Sequence, residues 1–256
     1  VIKNWNVSYS SWGISLFHCV KNDIKGNDAN YNRHYGIYLY RSENITIWNN
    51  TANFIVYDSG IFLDKSHYNN ISENTASNND IGIYLDYSHY NNVTGNTASN
   101  NDIGIYLHES DNNTISDNIE SFNFNSICGI FLNNSEGNYV LRNIANYNHI
   151  GICLNESNYN RIKGNTFIGN DIDYQNNGID NLFVNNDFGG DNGDNGDNGD
   201  NGDNGDDDGI NKKKESSSTN IFESLTSPIG LIVIGISIIG GIIAIATIVL
   251  FLRKRR

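Results

Sequence analysis

Short alternations of apolar and polar positions recur along the first 188 residues, each built on a Gly-Ile-x-Leu core. The core glycines are Gly13, Gly36, Gly60, Gly82, Gly104, Gly129 and Gly151, separated by 23, 24, 22, 22, 25 and 22 residues. Fourteen residues after every one of them stands an asparagine, at Asn27, Asn50, Asn74, Asn96, Asn118, Asn143 and Asn165, so the variation in length falls in the rest of each repeat. A repeat near this length suits one coil of a parallel β-helix, in which three short strands and three turns form a rung and the next rung stacks roughly 4.8 Å away. The Leu-x-x-Leu-x-Leu-x-x-Asn pattern of leucine-rich repeats, an architecture of similar period, is absent.

Within Ile81-Gly82-Ile83-Tyr84-Leu85 the isoleucines and leucine share one parity, while Asp80, Gly82, Tyr84 and Asp86 share the other. Strand side chains alternate between faces, so the first set is expected inside and the second outside. Two inward columns follow, Ile14, Ile37, Ile61, Ile83, Ile105, Ile130, Ile152 and Leu16, Leu39, Leu63, Leu85, Leu107, Leu132, Leu154. A second strand contributes Ile24, Ile47, Ile71, Val93, Ile115, Val140 and Ile162. Burial stabilises by roughly 1.5 to 3 kcal/mol per aliphatic side chain, and only stacked rungs achieve it. The asparagine column is expected to occupy left-handed turn positions and to form an amide ladder from rung to rung.

Composition agrees with a turn-rich, all-β repeat: asparagine is abundant, glycine numbers 25, proline 1 and methionine 0. Much of the net charge of −13 comes from the Asp-Asn-Gly tract after Gly190, a linker property that argues against nucleic acid as a partner without implying an acidic active site. The three cysteines, Cys19, Cys128 and Cys153, are too few and scattered for a disulfide framework and form no CxxC pair.

The chain divides into four segments: a β-helix over residues 1–188, a flexible acidic then polar linker over 189–228, a transmembrane helix over 229–252 and a basic tail over 253–256. Residues 229–252 carry no charge and are long enough to span a bilayer. The Arg-Lys-Arg-Arg tail predicts a cytoplasmic C-terminus, hence a single-pass cell-membrane protein with its β-helix extracellular. Sequons at Asn6, Asn44, Asn49, Asn70, Asn92, Asn112, Asn133 and Asn155 accord with export and glycosylation. Val1 and Asn4 match the Val93 and Asn96 positions, so the chain is expected to begin in mid-rung, with earlier rungs or a cap upstream. The Asp-Asn-Gly tract offers oxygens to calcium but lacks the EF-hand and RTX spacings.

The elements of GIYLDYSHYNNVTGNTASNND resemble the right-handed parallel β-helix repeats of the NosD-like family, over residues 1 to about 188. That resemblance implies the fold and an archaeal-type surface protein; the superfold also carries lyases, epimerases, adhesins and passive spacers. The family's copper association is not carried over, because copper favours soft sulfur ligands with histidine, and this chain lacks methionine and disperses its six histidines. His67 and His89 share a repeat position, which gives a weak metal candidate in a column otherwise expected to be solvated turn.

On the outward face, an aromatic column of Tyr38, Phe62, Tyr84, Tyr106 and Phe131 runs between Asp58, Asp80, Asp102 on one side and Asp64, Asp86, His108 on the other. Rings beside carboxylates suit a polysaccharide or envelope glycan, and stacked aspartates invite a cation such as calcium, with Asp58, Asp80 and Asp102 as candidate ligands. The reading is a non-enzymatic, carbohydrate-binding or adhesive surface protein. The alternatives are a polysaccharide-active lyase or hydrolase using Asp80 with Asp102 or Asp86, and a purely structural stalk.

Overall fold

The computed structural model describes residues 1–123 and 128–189. The linker, transmembrane and tail segments lie outside the described residues, apart from Gly189.

The described chain is a parallel β-helix with three sides. One is an eight-stranded parallel sheet of long strands, Trp12–Phe17, Tyr35–Tyr40, Ser59–Asp64, Ile81–Asp86, Ile103–His108, Cys128–Asn133, Ile150–Asn155 and Ile172–Asn176. The second is a nine-stranded sheet of short strands running from Ile2–Lys3 to Leu182–Val184. The third is held by single parallel bridges, as at Thr51↔Thr75↔Thr97. Strand neighbours pair in the register set by the repeat, for example Ile83 with Ile61 and Ile105, and Val93 with Ile71 and Ile115.

The predicted columns form the core. From Ile37 to Ile152, Leu39 to Leu154 and Ile24 to Ile162 the members are 0 % exposed, and Ala29, Ala52, Ala76, Ala98 and Ala145 complete the third wall. At the first turn Ile2 pairs with Ile24, and the Trp5 N–H donates to Asn27 Oδ1. The phase is therefore carried by Ile2 and Trp5, one residue later than the expected Val1 and Asn4.

Alternation breaks at the core glycine. A Cβ on Gly82 would lie 2.8 Å from Ala98 Cβ and 2.6 Å from Gly104 O, so glycine points inward where rungs leave no room for a side chain. Ile81 consequently lies on the outward side with Tyr84, contrary to the parity expectation. Its column includes Tyr35, whose ring stacks on Tyr38, and Cys128, which is joined to Cys153 of the aromatic column.

The asparagine ladder is present but differs from the expectation in one respect. Asn74 accepts from the Asn50 backbone N–H and amide, and itself donates to Asn96 and to the Ile47 carbonyl, with every member 0–2 % exposed. The left-handed conformation belongs to the preceding residue, as at Asn49 (φ 53°), Glu73 (φ 55°) and Gly95 (φ 66°), because that residue makes the turn while the ladder amide points inward. Two further asparagine ladders, through Asn69, Asn91, Asn113, Asn138 and through Asn79, Asn101, Asn123, Asn148, occupy the other corners. A serine ladder runs through Ser42, Ser66, Ser88, Ser110, Ser135 and Ser157.

Cys128 and Cys153 form a disulfide between adjacent rungs, Cα–Cα 6.1 Å apart. Their separation of 25 residues in sequence is one turn of the helix, which brings scattered cysteines together. Such bonds persist in oxidising compartments, so the cysteines do inform on location.

Candidate functional site

The outward face of the long-strand sheet holds the predicted site residues in adjacent columns. The five rings form one parallel stack: Tyr38–Phe62 at 5.2 Å between centroids, Phe62–Tyr84 at 4.7 Å, Tyr84–Tyr106 at 4.9 Å and Tyr106–Phe131 at 4.9 Å. Each ring face within the stack is occupied by its neighbour, leaving ring edges and hydroxyls for any ligand. Tyr38, Phe62 and Phe131 are buried, and Tyr84 and Tyr106 are half-exposed at the centre.

The hydroxyls are tied to the flanking acids and amides. Tyr38 donates to Asp64 Oδ2 at 3.3 Å, and burial with the nearby Asp64 charge pushes the Tyr38 phenol up to about 12. Burial first, then the Asp86 carboxylate, raises Tyr84. Asn133 Nδ2 donates to the Tyr106 hydroxyl at 3.2 Å, so that hydroxyl acts as an acceptor there and keeps its own proton to donate. Beside it, His108 Nδ1 lies 2.7 Å from Asp86 Oδ1, a bond that raises the imidazole pKa.

Asp58, Asp80 and Asp102 line the opposite margin, all half-buried. Burial, with the Asp102 and Asp58 charges adding to it, pushes Asp80 up to about 6, and burial also raises Asp58. The rungs that carry this face are acidic as a whole: residues 56–123 carry ten acidic side chains against one basic, whereas residues 1–55 carry three against five.

His67 and His89 stack at 5.2 Å and are half-buried rather than freely solvated. His67 Nδ1 accepts the His89 backbone N–H at 3.1 Å, and His89 Nδ1 accepts that of Asp111 at 2.9 Å. In the following rungs Asp111 Oδ1 and Asn158 Oδ1 do the same for Glu136 and Ile179. The imidazoles therefore serve as turn acceptors, and in the neutral ring an accepting Nδ1 puts the proton on Nε2. Of the sequon residues, Asn6, Asn44, Asn49 and Asn112 are exposed. Asn70, Asn92, Asn133 and Asn155 are half-buried, paired along the strands through Asn92–Asn70 and Asn155–Asn133 bonds.

Comparison with known proteins places this architecture in a class. The profile of the family described as periplasmic copper-binding protein (NosD) matches residues 1–123 and 53–221, and the chain belongs to that family. Among solved structures, the periplasmic alginate epimerase AlgG shares 22 % identity at a TM-score of 0.64, covering 72 % of this chain and 50 % of that one. The A-module of the Azotobacter vinelandii mannuronan C-5 epimerase AlgE6 shares 13 % at 0.58, covering 72 % and 58 %. The chain thus spans about half the length of these structures and shares their fold. No curated protein matches the sequence.

The copper in the family's description does not fit the residues present. The sequence has no methionine, two of its three cysteines are joined, and the paired imidazoles are already engaged through Nδ1 as backbone acceptors. Among the described residues no three His, Cys, Asp or Glu side chains gather as a metal-binding group.

Proposed function

We propose that this protein is an extracytoplasmic, non-enzymatic β-helix that holds a neutral, hydroxyl-rich glycan along the outward face of its long-strand sheet, tethered to the membrane by residues 229–252. The reading rests on one observation: half-exposed Tyr84 and Tyr106 edges, the Tyr106 hydroxyl and the Asp86–His108 pair stand in adjacent columns, offering donors and acceptors side by side. The surplus of carboxylates favours a neutral polymer over a polyanionic one. The disulfide and the family's periplasmic description support placement outside the cytoplasm. The uncharged 24 residues before Arg253 support the tether.

A polysaccharide-modifying activity is the second reading, supported by the Asp86–His108 hydrogen bond beside Tyr106 and by the epimerase fold. A glycan array read for both retention and released or altered product separates the two. Saturable retention that falls at least tenfold in Tyr106→Phe and Asp86→Asn, without product, supports binding. Product formation lost in His108→Gln supports catalysis, and silence across neutral glycans refutes the binding proposal.

A further inference from the structure

A recess of about 390 Å³ lies over the first three rungs, lined by Tyr9, Ser10, Ser11, Tyr31, Arg33 and Val56, none of them a residue of the face described above. Its aromatic wall is built from turns. Tyr9, Tyr31 and Phe54 occupy one column at φ 61°, 55° and 57°, their rings parallel at 5.0 and 4.9 Å. In the next two rungs Asn78 and Asn100 hold the same column at φ 61° and 59°, before Phe122 and Tyr147 return rings to it at φ 63° and 55°. Asparagine suits that conformation far better than tyrosine, so the rings are placed against local backbone preference. Val56, in the third rung, is 56 % exposed, which leaves apolar surface open on the recess.

The charge of the recess is opposite to that of the glycan face. Arg33 sits on its wall with the guanidinium 5.5 Å from the Tyr57 ring centroid, a contact that orients the group without neutralising it. No ion pair is made by Arg33 among the described residues. The surrounding rungs are the basic part of the β-helix, and the Ser10 and Ser11 hydroxyls lie alongside. An oriented guanidinium recognises a planar carboxylate with two parallel hydrogen bonds, while ring edges and hydroxyls suit a pyranose.

We infer that this recess is a second binding site, selective for a sugar unit bearing a carboxylate, of the uronate class. It is independent of the long-strand face, shares none of that face's residues, and stands or falls separately.

The test is titration of the full chain in detergent with glucuronate, its uncharged methyl ester, glucose and glucose 6-phosphate, followed by saturation-transfer NMR. Glucuronate is expected to bind at least tenfold more tightly than the ester or glucose. Arg33→Gln should remove that preference, and Tyr31→Asn should weaken binding of the ring. Tyr31→Asn installs the residue native to this column at positions 78 and 100, so the fold is retained, and an unchanged melting curve verifies it. Equal binding of glucuronate and its ester, insensitivity to Arg33→Gln, or preference for the phosphate each overturns the assignment. The same variants should leave retention on the long-strand face unchanged.

Discussion

Glu120 occupies the place in its rung that Ala98 occupies in the rung before and Ala145 in the rung after, fully enclosed in the wall, with neither carboxyl oxygen hydrogen-bonded. The neighbouring ladder is disturbed too. Asn123 Nδ2 turns to the Glu120 carbonyl at 2.6 Å, and Asn148 Nδ2 is left without a partner. Burial drives the Glu120 pKa well above the ordinary carboxylate range, so the folded protein holds this group protonated.

Linkage fixes the sign of the first prediction. With the folded pKa above the unfolded one, the native state binds more protons once pH exceeds the unfolded value of 4.5, and stability falls as pH rises from there towards the folded pKa. Thermal melts from pH 4 to 9 should show that decline. Glu120→Gln should flatten it, and Glu120→Ala should raise the melting temperature at pH 8 by several degrees, through removal of a buried unsatisfied group worth roughly 1 to 3 kcal/mol. A pH profile unchanged by Glu120→Gln contradicts the assignment.

Asn74→Ala should cost roughly 3 to 5 kcal/mol, since it removes three amide bonds to Ile47, Asn96 and Asn50 and orphans the Asn50 backbone N–H. Asn49→Gly, one turn residue away at φ 53°, should be near neutral because glycine adopts that conformation freely. Chemical denaturation of both variants separates a ladder role from a turn role; equal losses would contradict it.

The columns were legible in the sequence where a spacing was constant and its chemistry obvious. Asn27 to Asn165 follow the core glycines at a fixed distance, and the inward isoleucines and leucines have no other place to go. The same signal was present for Ser42, Ser66, Ser88, Ser110, Ser135 and Ser157, each six residues after a glycine, and for Asn69, Asn91 and Asn113, each five before a ladder asparagine. Serine and asparagine read as surface residues unless burial is known, so those ladders passed as turn composition. The outward face was misjudged at Ile81 because a period of two assumes unbroken pleating, and the inward Gly82 interrupts it. The Tyr84–Asp86–His108 neighbourhood could be read from register alone, but the hydrogen bonds that orient it could not. Nor could the mutual stacking that removes the ring faces, which depends on side-chain torsions.

The disulfide closes one turn of the helix, and loop-closure entropy puts its worth at roughly 3 to 4 kcal/mol. Reduction should lower the melting temperature by several degrees. Thiol titration of the native protein should find one reactive cysteine, Cys19, rising to three after reduction and unfolding. Three reactive thiols in unreduced, purified protein would contradict the pairing.

Copper provides the sharpest test of what His67 and His89 do. Their Nδ1 atoms accept backbone N–H bonds in a column where Asp111 and Asn158 use carboxylate and amide oxygens for the same purpose. If acceptance is the whole role, His67→Asn with His89→Asn should fold with little loss and leave copper(II) affinity as it was. His67 should also set an acid response. Burial first, then the His89 charge, lowers the His67 pKa, so the folded state binds fewer protons than the unfolded one. Stability from this group is present above the unfolded value near 6.5 and is lost as pH falls through the folded pKa, because protonated Nδ1 can no longer accept. Unfolding midpoints between pH 7 and 5 should therefore fall further in the wild type than in the double variant. Copper binding that vanishes with the two imidazoles, monitored by calorimetry or by the copper(II) resonance spectrum, would instead make them ligands and require both rings to turn out of the ladder.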